Sequence, residues 1–550
     1  MAKDSRDRQL MELKDTIKEL NTTIGNLNAM IREANQREQE HLEREKVLQE
    51  QIDYLTKKLF GRSREKHPEI EGQFSLFDEA EVEAPKADTK AEEEFSTVAA
   101  HQRKKKGATK DKFADLPVQK VYLDVPEEER ICDVCGTEMT RIGEEFVRRE
   151  IEIIKPSIKI IEYYSVNYGC PKCKVEAEVP RIIKGRDGKP HMLHGMASAG
   201  TVAWVMYQKY VNALPLYRQE RDFKLQYGVE IGRETLGSWI IKNSDEFFAP
   251  LCGYYRRRLI AGMYAMADET PVQVLKEPGR RPETQSYMWV FRSGEYDSHQ
   301  IVLFHYSPTR AGETAKEFLE GFRGYLMTDG YGGYNKLKDC RRTSCWAHVR
   351  RYLLDAIPKG SEYDCNLPAV QGLVYIDKLF ELEHKIHEKK GVSFDAVKKF
   401  RLEKEKPVLD AFWKWLDSQT ATRGSRMDKA LVYIRNRKPF LETYLEDGGC
   451  SFHNNTSERS CKAFVTGRKN WMFSDTPEGA TASANVYSIV ETAKANGVDV
   501  YLYLKYLLLK TPTKDTSDEE LEKLCPWNPE CQEALEQMKI EYQRSLFAAM

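Results

Sequence analysis

The sequence predicts a multidomain α/β protein, and three observations support this prediction. The chain has 550 residues, and domains average ~150 residues, so several domains are expected. A heptad pattern of apolar residues occupies the N-terminal region, and two Cys-x-x-Cys pairs bracket a β-rich stretch further on. Beyond about residue 250, strand-like and helical runs alternate, which is typical of a mixed α/β layer.

Composition and charge exclude some classes of protein. The sequence has no run near the ~18 apolar residues of a membrane-spanning helix. Its first residues, MAKDSRDRQL, lack the apolar core of a secretory signal, so we expect a cytoplasmic protein with no membrane partner. Twelve cysteines are too sparse for a disulfide scaffold. Because 85 basic and 86 acidic residues nearly cancel, only their distribution can indicate a partner.

Residues 1–65 are predicted to form a coiled-coil oligomerisation helix. Apolar residues recur at alternating steps of three and four from Leu10 to Leu59, with a weak middle heptad around His41. Such a seam favours a homo-oligomer, although a long amphipathic helix folded back on its own chain is the alternative.

Residues 66–115 are predicted to be a disordered, charged linker. Its segment 78–94 holds eight acidic and two basic residues, whereas segment 101–112 holds six basic residues and one acidic residue. The basic arm, which includes Lys104, Lys105 and Lys106, can neutralise DNA phosphates or simply be a solvated tail.

Residues 116–185 are predicted to be a β-rich zinc-binding module. Two Cys-x-x-Cys pairs are separated by 34 residues, and four thiolates in two tight knuckles are what tetrahedral Zn²⁺ requires. With four protein ligands the ion is structural, since no coordination position stays open. The predicted ligands are Cys132, Cys135, Cys170 and Cys173.

The next segment, residues 186–250, is helical and contains a helix-turn-helix candidate. The sequences PLYRQERDFKLQ and RETLGSWIIKN read as two helices joined by a turn around Gly228 to Gly232. Helix pairs of this kind also occur in ordinary α-helical domains, so the pattern alone does not establish DNA binding.

The remaining chain reads as an α/β layer in two parts. Strand-like runs and helices alternate over residues 251–365, an all-helical insertion covers residues 366–446, and the α/β pattern resumes over residues 447–510. We expect residues 511–550 to be a polar C-terminal tail.

Three carboxylates in these segments form a candidate metal site. Asp268 ends the apolar run MYAMAD and Asp329 ends YLMTD, so adjacent strands can bring both carboxylates to one sheet edge. Like charges there would repel unless a divalent cation such as Mg²⁺ bridged them, although Asp also commonly caps strand ends and turns. Glu458 is the candidate third ligand, on a helix capped by Asn454 or Thr456.

Basic residues follow Glu458 and can hold phosphates. They are Arg459, Arg468 and Lys469. Three carboxylates around two metal ions, with cations beside them, are suited to phosphodiester transfer.

The chain resembles the transposases of the insertion-sequence family numbered sixty-six, from the coiled coil to about Leu504. The stretches that carry the resemblance are LFGRSREK, QFSLFDEAE, CDVCG with YGCPKC, LPLYRQE, GVEIGRETLGSW, DETPVQVL, TDGYGGYN, CWAHVRR, NNTSER, GRKNWMF and SIVETAKANGVDVYLYL. The resemblance implies a ribonuclease-H-like catalytic core with an Asp-Asp-Glu triad at Asp268, Asp329 and Glu458. It also implies a zinc finger at the four cysteines and a helical insertion between the second Asp and the Glu.

The chain departs from the family pattern at two positions. His453 stands where the family usually has Asp, and Lys462 stands where it usually has Arg. The second change replaces a bidentate phosphate clamp by a point charge, so altered activity is conceivable.

The predicted function is that of a bacterial DNA transposase, nucleoid-associated when bound. It would use two Mg²⁺ or Mn²⁺ ions per active site to cleave transposon ends and join them to double-stranded target DNA. Candidate end contacts are Arg218, Arg221 and Arg233 of the helix-turn-helix. Arg350 and Arg351 in CWAHVRR either contact DNA or belong to a packed helix start with Trp346 in the core.

Accessory proteins of the same element are further candidate partners. The alternatives to a transposase are a non-catalytic DNA-binding regulator derived from one and a structure-specific nuclease of the same fold. The regulator predicts end binding without magnesium-dependent nicking, and the nuclease predicts cutting without strand transfer.

Overall fold

The computed structural model describes residues 146, 157–169, 182–184, 196–388 and 391–549, all within the compact unit Glu145–Met550. Three sequence predictions lie outside these residues: the coiled coil, the charged linker with its basic arm, and the set of zinc ligands. The residues concerned are Lys104, Lys105, Lys106, Cys132, Cys135, Cys170 and Cys173. None of the helices in the described part is long and apolar enough to cross a membrane.

The N-terminal part of the described chain is mainly helical. A short antiparallel pair, β1 (Asn167–Gly169) and β2 (Ile182–Lys184), is followed by four helices. These are α1 (Ala199–Tyr210), α2 (Leu216–Tyr227), α3 (Arg233–Asn243) and α4 (Ala249–Ala261). A π-helical turn at Ser244–Phe248 joins α3 to α4. Helices α2 and α3 lie where the sequence predicts two helices and a turn.

The turn between α2 and α3 begins at a glycine for a conformational reason. Gly228 has φ 68° and ends α2 in the left-handed region, where residues with a Cβ are disfavoured. Its N–H donates to the carbonyls of Lys224 and Phe223, which satisfies the last turn of the helix. Buried Phe223 on α2 and Trp239 on α3 join the same hydrophobic core.

A mixed sheet forms the centre of the α/β part. Its strands are β3 (Tyr264–Gln273), β4 (Gln285–Ser293), β5 (Val302–Ser307), β6 (Tyr325–Thr328) and β7 (Arg341–Ser344), with α5 (Gly312–Phe318) between β5 and β6. Within the described residues the strand order is β5-β4-β3-β6-β7. Pairing is antiparallel from β5 to β3 and parallel from β3 to β7, so β3 is the central strand.

Strand β3 is longer than its parallel neighbour. It pairs with β6 only from Tyr264 to Met266, whereas it pairs with β4 along its whole length to Gln273. Pro271 lies in the part beyond β6, where its missing N–H costs no bond to that strand. Asp268 therefore lies within β3, not at its end as the sequence suggested, because β4 extends the strand past the last residue paired with β6.

The helices after β7 build a second hydrophobic core. They are α6 (Trp346–Asp355), α7 (Pro368–His387), α8 (Phe394–Phe400), α9 (Lys406–Ser418) and α10 (Arg426–Leu441). A π-helical turn at Arg401–Glu405 joins α8 to α9, and a 3₁₀ turn at Thr443–Glu446 follows α10. Within residues 368–446 the described part consists of helices joined by short turns and contains no strand. Trp346, Leu379 and Phe412 lie at the centre of this core and are fully buried.

Three helices then return to the sheet. They are α11 (Asn455–Trp471), α12 (Pro477–Ala495) and α13 (Val500–Lys510). Helix α12 covers the edge strand β5 and also bonds to it. The hydroxyl of Ser488 accepts from the N–H of Phe304 (2.8 Å), and that of Thr492 accepts from the N–H of Val302 (3.0 Å). These bonds occupy backbone donors that an edge strand would otherwise expose.

The C-terminal segment corrects the prediction of a polar tail. Residues after 510 form α14 (Asp518–Lys523) and α15 (Pro529–Ala549). Leu521, Cys525 and Cys531 are buried in the main core, which explains why this segment does not behave as a tail. Helix α14 begins with a capping box in which Ser517 and Glu520 bond reciprocally.

Candidate active site

Two aspartates lie at the same level on paired parallel strands. Met266 of β3 is the last residue paired with β6, opposite Met327, and Asp268 and Asp329 each lie two residues beyond that pair. Asp329 follows directly after β6 ends at Thr328. Residues at one level of a parallel pair project from the same face, so the two carboxylates share one face of the sheet.

The environment of Asp268 is strongly unfavourable for its charged form. Burial, together with the charges of Glu269, Asp329 and Glu458, raises the pKa of Asp268 to about 7. The N–H of Glu269 donates to Asp268 Oδ1 (2.9 Å) and opposes the rise only in part. The site therefore concentrates negative charge among partly buried side chains.

Glu458 reaches this face from the first turn of α11. Asn454 occupies the N-cap position but makes no side-chain capping bond, contrary to the sequence prediction. Its Nδ2 instead donates to the carbonyl of Ala267 (3.4 Å), because the start of α11 lies against β3 beside Asp268. Burial and the charge of Asp268 raise the pKa of Cys461, one turn after Glu458, so this buried helix face lies near the strand that carries the aspartate.

Glu458 also contacts two residues of α6 in CWAHVRR. Its Oε1 lies 3.8 Å from His348 Nε2, and its Oε2 lies 3.4 Å from a terminal nitrogen of Arg351. The Sγ of Cys345, a nitrogen of His348 and a carboxylate oxygen of Glu458 all lie within 4.8 Å of one another. The sequence analysis did not identify Cys345 and His348 as ligands, although their Cys-x-x-His spacing was visible.

Glu269, next to Asp268, was also not predicted from the sequence. Its side chain is 1% exposed, accepts from Arg310 Nε (2.8 Å) and accepts from the Tyr334 hydroxyl (2.6 Å). Burial raises the pKa of Glu269, while these donors favour its charged form. Neighbouring residues of a strand face opposite sides, so Glu269 ties the other face of β3 to the loop after β6.

Hydrogen bonds from Arg342 hold the loop that carries Asp329. This buried guanidinium donates to the Thr328 hydroxyl (2.9 Å) and to Asn335 Oδ1 (2.7 Å), at the two sides of the loop. The N–H of Tyr331 donates to Asp329 Oδ1 (2.8 Å), which orients the carboxylate. The turn sequence DGYGGYN is therefore a constrained support for Asp329 as well as a connection.

The predicted phosphate-binding residues differ in their exposure to solvent and in the partners they already have. Arg459 and Lys469 are exposed on α11, whereas Arg468 is half-buried and donates to the carbonyl of Pro271. Arg350 is half-buried and pairs with Asp377 of α7 (2.6 Å). Trp346 is fully buried and its Nε1 donates to the carbonyl of Leu441 (3.1 Å), so the packed interpretation of this residue is confirmed.

The candidate end contacts lie on the surface of the helix-turn-helix. Arg218 and Arg221 are exposed on α2, and Arg233 is exposed at the start of α3. Arg218 Nε donates to the hydroxyl of Tyr217 (3.0 Å), and Arg233 pairs with Glu234 (3.2 Å).

The two departures from the family pattern lie at different depths. His453 is half-buried, its Nδ1 is 3.8 Å from Glu295 Oε2, and its ring stacks on Phe380 of α7. It therefore contacts the helical insertion. Lys462 is exposed on α11, one turn beyond Glu458.

Clustered carboxylates on a mixed sheet define the chain as an α/β protein with a candidate centre for divalent cations. Comparison with known families makes the identification more specific. Residues 194–482, more than half of the chain, match the family model described as "Transposase IS66 family". The chain belongs to this family.

Three further stretches match other regions of IS66 proteins. Residues 129–174, which contain the four cysteines of the Cys-x-x-Cys pairs, match "zinc-finger binding domain of transposase IS66". Residues 488–527 match "IS66 C-terminal element", and residues 47–121 match "Transposase C of IS166 homeodomain". The transposase, zinc-finger and N-terminal assignments made from the sequence are therefore confirmed at the level of the family.

Similar curated proteins come from Sinorhizobium fredii (strain NBRC 101917 / NGR234). Uncharacterized protein y4qI is 27% identical over 430 residues, which cover 74% of this chain and 75% of that protein. Uncharacterized protein y4hP is 24% identical over 509 residues, which cover 87% of this chain and 88% of that protein. The similarity thus extends over most of the length of each protein.

Proposed function

We propose that the chain is an active DNA transposase that cleaves the ends of an insertion sequence and joins the freed 3′-hydroxyls to target DNA. The observation that carries the proposal is the convergence of Asp268, Asp329 and Glu458. The two aspartates each lie two residues beyond the last residue pair of β3 and β6, and the charge of Glu458 acts on Asp268. Membership of the family supports the reaction class.

The catalytic core, in this proposal, has the ribonuclease-H-like fold. The order β5-β4-β3-β6-β7, with three antiparallel strands followed by two parallel ones, supports this assignment. The first carboxylate lies on the central strand and the second follows its parallel neighbour. The helices between β7 and α11 form the insertion between the second Asp and the Glu.

The residues present fit divalent cations. Carboxylate oxygens are the ligands that Mg²⁺ and Mn²⁺ prefer. Burial and the neighbouring negative charges raise the pKa of Asp268, and bound cations would neutralise those charges. Two ions held by these carboxylates would supply Lewis-acid activation of the attacking oxygen and charge stabilisation at the leaving oxygen.

The protein's own side chains position the carboxylates and neutralise negative charge around them and on the DNA. Arg342 holds the loop of Asp329, and Arg310 and Tyr334 hold Glu269 on the opposite face of β3 from Asp268. On α11, the exposed Arg459 and Lys469 form no ion pair with any other described residue. They are therefore free to bind the phosphates of the DNA strand beside Glu458.

Binding of the transposon ends is assigned to the helix-turn-helix. The exposed Arg218, Arg221 and Arg233 lie on the two helices that flank the turn, so the surface they form is accessible to a DNA groove. We assign one structural Zn²⁺ to the four paired cysteines. Accessory proteins of the same element remain candidate partners.

The proposal is tested with purified protein and labelled DNA that carries the native ends, incubated with Mg²⁺ or with EDTA. We expect magnesium-dependent 3′-end cleavage and joining on a denaturing gel. Glu458→Gln should bring both products below detection while end binding, measured by mobility shift, persists. Glu491→Gln is the matched control, because this largely buried glutamate of α12 pairs with Lys494 and is not one of the three carboxylates.

Each alternative function has its own signature in this assay. Specific end binding without any cleavage by the wild-type protein would support the regulator and contradict the transposase. Cleavage without joined products would support the nuclease.

The coiled coil is proposed to bring two active sites onto paired ends. Deleting residues 1–58 should convert an oligomer into monomers, because it removes most of the apolar seam. Sedimentation equilibrium measures the mass directly. An unchanged mass for the shortened chain would contradict this role.

A further inference from the structure

We propose that Cys345, His348 and Glu458 form a binding site for a transition-metal ion of the zinc class, and that this ion inhibits the protein. The three side chains offer ligand atoms within 4.8 Å of one another. The site is distinct from the proposed magnesium site but shares Glu458 with it. The inhibitory part rests on the proposed function, whereas the binding part does not.

The backbone around Cys345 suits a metal-bound thiolate. Cys345 is the N-cap of α6 and is fully buried, and the N–H of Asn454 donates to its Sγ (3.1 Å). This N–H donor stabilises negative charge on the sulfur, as the second shell of a zinc site does, and so opposes the burial that raises the pKa of the Cys345 thiol to about 11.

His348 and Glu458 are oriented toward each other without completing a hydrogen bond. Their separation of 3.8 Å between Nε2 and Oε1 is too long for one. Glu458 Oε1 and His348 Nδ1 are both buried without a hydrogen-bond partner among the described residues. Two ligand atoms 3.8 Å apart can both lie ~2.0–2.2 Å from one ion, which is the usual zinc distance.

The chemistry of the three ligands selects the class of metal. A thiolate and an imidazole favour Zn²⁺ and similar ions, whereas Mg²⁺ prefers oxygen ligands only. The carboxylate completes a set of three protein ligands, which leaves the fourth tetrahedral position open. A Cys-His-Glu site therefore binds Zn²⁺ in preference to the cations of the neighbouring carboxylates.

Occupancy of this site would act on the transposase through Glu458. The carboxylate oxygen that binds an ion next to Cys345 and His348 would no longer be available to ions held by Asp268 and Asp329. We therefore expect Zn²⁺, in excess of the structural equivalent, to inhibit magnesium-dependent cleavage.

The binding part is tested by titrating Co²⁺ into the full-length protein loaded with one equivalent of Zn²⁺ in its paired cysteines. We expect a further equivalent of Co²⁺ to bind and to give a sulfur-to-cobalt charge-transfer band. Cys345→Ser should abolish that band, and His348→Gln should weaken binding at least tenfold. Cys365→Ser removes an exposed thiol outside the site and should leave the band unchanged.

Two results would overturn the binding part: no binding of Co²⁺ by the Zn²⁺-loaded protein, or a charge-transfer band that survives in Cys345→Ser. If Cys345→Ser fails to fold, His348→Gln decides, since unchanged affinity in that variant contradicts the site.

The inhibitory part is tested by adding Zn²⁺ to the cleavage assay at fixed Mg²⁺. Cleavage by the wild-type protein should fall at least tenfold, and His348→Gln should need at least tenfold more Zn²⁺ for the same loss. Binding of Co²⁺ without inhibition by Zn²⁺ would overturn the inhibition alone. A protein that binds Co²⁺ but never cleaves DNA would contradict the proposed function and leave the metal site standing.

Discussion

Asp268→Asn should lower end cleavage by ~10³-fold or more, which corresponds to about 4 kcal/mol of transition-state stabilisation. The substitution keeps the shape of the side chain and its acceptor for the N–H of Glu269, but it removes the carboxylate on the central strand. End binding should persist, since the helix-turn-helix is unchanged. Initial rates from the gel assay and a mobility-shift titration measure the two effects separately.

The same substitution should stabilise the protein in EDTA. Burial raises the pKa of Asp268 from 3.8 to about 7, so the folded state binds the proton more tightly than the unfolded chain. The carboxylate therefore costs no stability below pH ~4, and its cost grows as the pH rises, to about 4 kcal/mol above pH 7. An asparagine at this position carries no such cost. The unfolding temperature of the Asp268→Asn variant should therefore exceed that of the wild type at pH 8 and approach it at pH 4.

Asp297→Asn separates the catalytic effect from the electrostatic one. Burial raises the pKa of Asp297 to about 6, and its Oδ2 accepts from the N–H of Gly294 (2.9 Å) in the turn between β4 and β5. Relative to the wild type, Asp297→Asn should gain stability at high pH much as Asp268→Asn does, but it should retain cleavage. Retained cleavage in Asp268→Asn would contradict the assignment of the triad.

The aspartates of the site could be predicted because their signal is local. Each follows an apolar run, and alternation within a strand identifies the face on which it lies. Glu269 could not be predicted in the same way, since its partner Arg310 is 41 residues away. The alternation of a strand shows that Glu269 faces the opposite side of the sheet from Asp268. It does not show which residue neutralises the charge of Glu269.

Average polarity misled the prediction for residues 511–550. The segment is rich in charge, yet Leu521 and Leu535 are buried in the main core. The capping box at Ser517 and Glu520 marks the start of a helix and was readable in the sequence. Which side of that helix is buried depends on α4, which is distant in the chain.

Arg401 shows a stronger limit of sequence reasoning. It lies in the charge-rich helical segment, where a surface position is the ordinary expectation, but it is fully buried. Its Nε and one terminal nitrogen donate to both oxygens of Glu383, at 2.6 and 3.0 Å. The remaining donors bond the carbonyls of Tyr444, Asp447 and Cys450. A buried guanidinium is tolerated here because two separate segments of the chain, α7 and residues 444–450, converge to satisfy it.

Arg401→Met should destabilise the protein by about 3–5 kcal/mol, the cost expected when a buried ion pair loses one partner. Glu383 would keep His387 nearby (3.3 Å) but lose the guanidinium that holds its pKa low despite burial. Glu405 lies in the same cluster, where burial and the charge of Glu383 already raise its pKa. Urea denaturation followed by circular dichroism measures the change.

The double variant Arg401→Met with Glu383→Gln isolates the electrostatic part of this loss. Removing both charges should recover more than half of the lost stability, because what destabilises the single variant is mainly an unpaired buried carboxylate. Arg435→Met is the matched control. This exposed arginine bonds only the carbonyls of Leu416 and Gln419 among the described residues and should cost less than ~1 kcal/mol. A double variant as unstable as Arg401→Met would show that the backbone bonds carry the effect.

Those backbone bonds connect the helical region that follows β7 to the candidate active site. The carbonyls of Asp447 and Cys450 lie in the segment that leads through His453 and Asn454 to Glu458 at the start of α11. When the guanidinium is lost, this segment loses its anchor in the second core, so Glu458 should be less well positioned even in the folded fraction. Cleavage by the double variant should therefore stay below that of the wild type after its stability has largely recovered. Full recovery of both stability and cleavage would limit Arg401 to a role in folding.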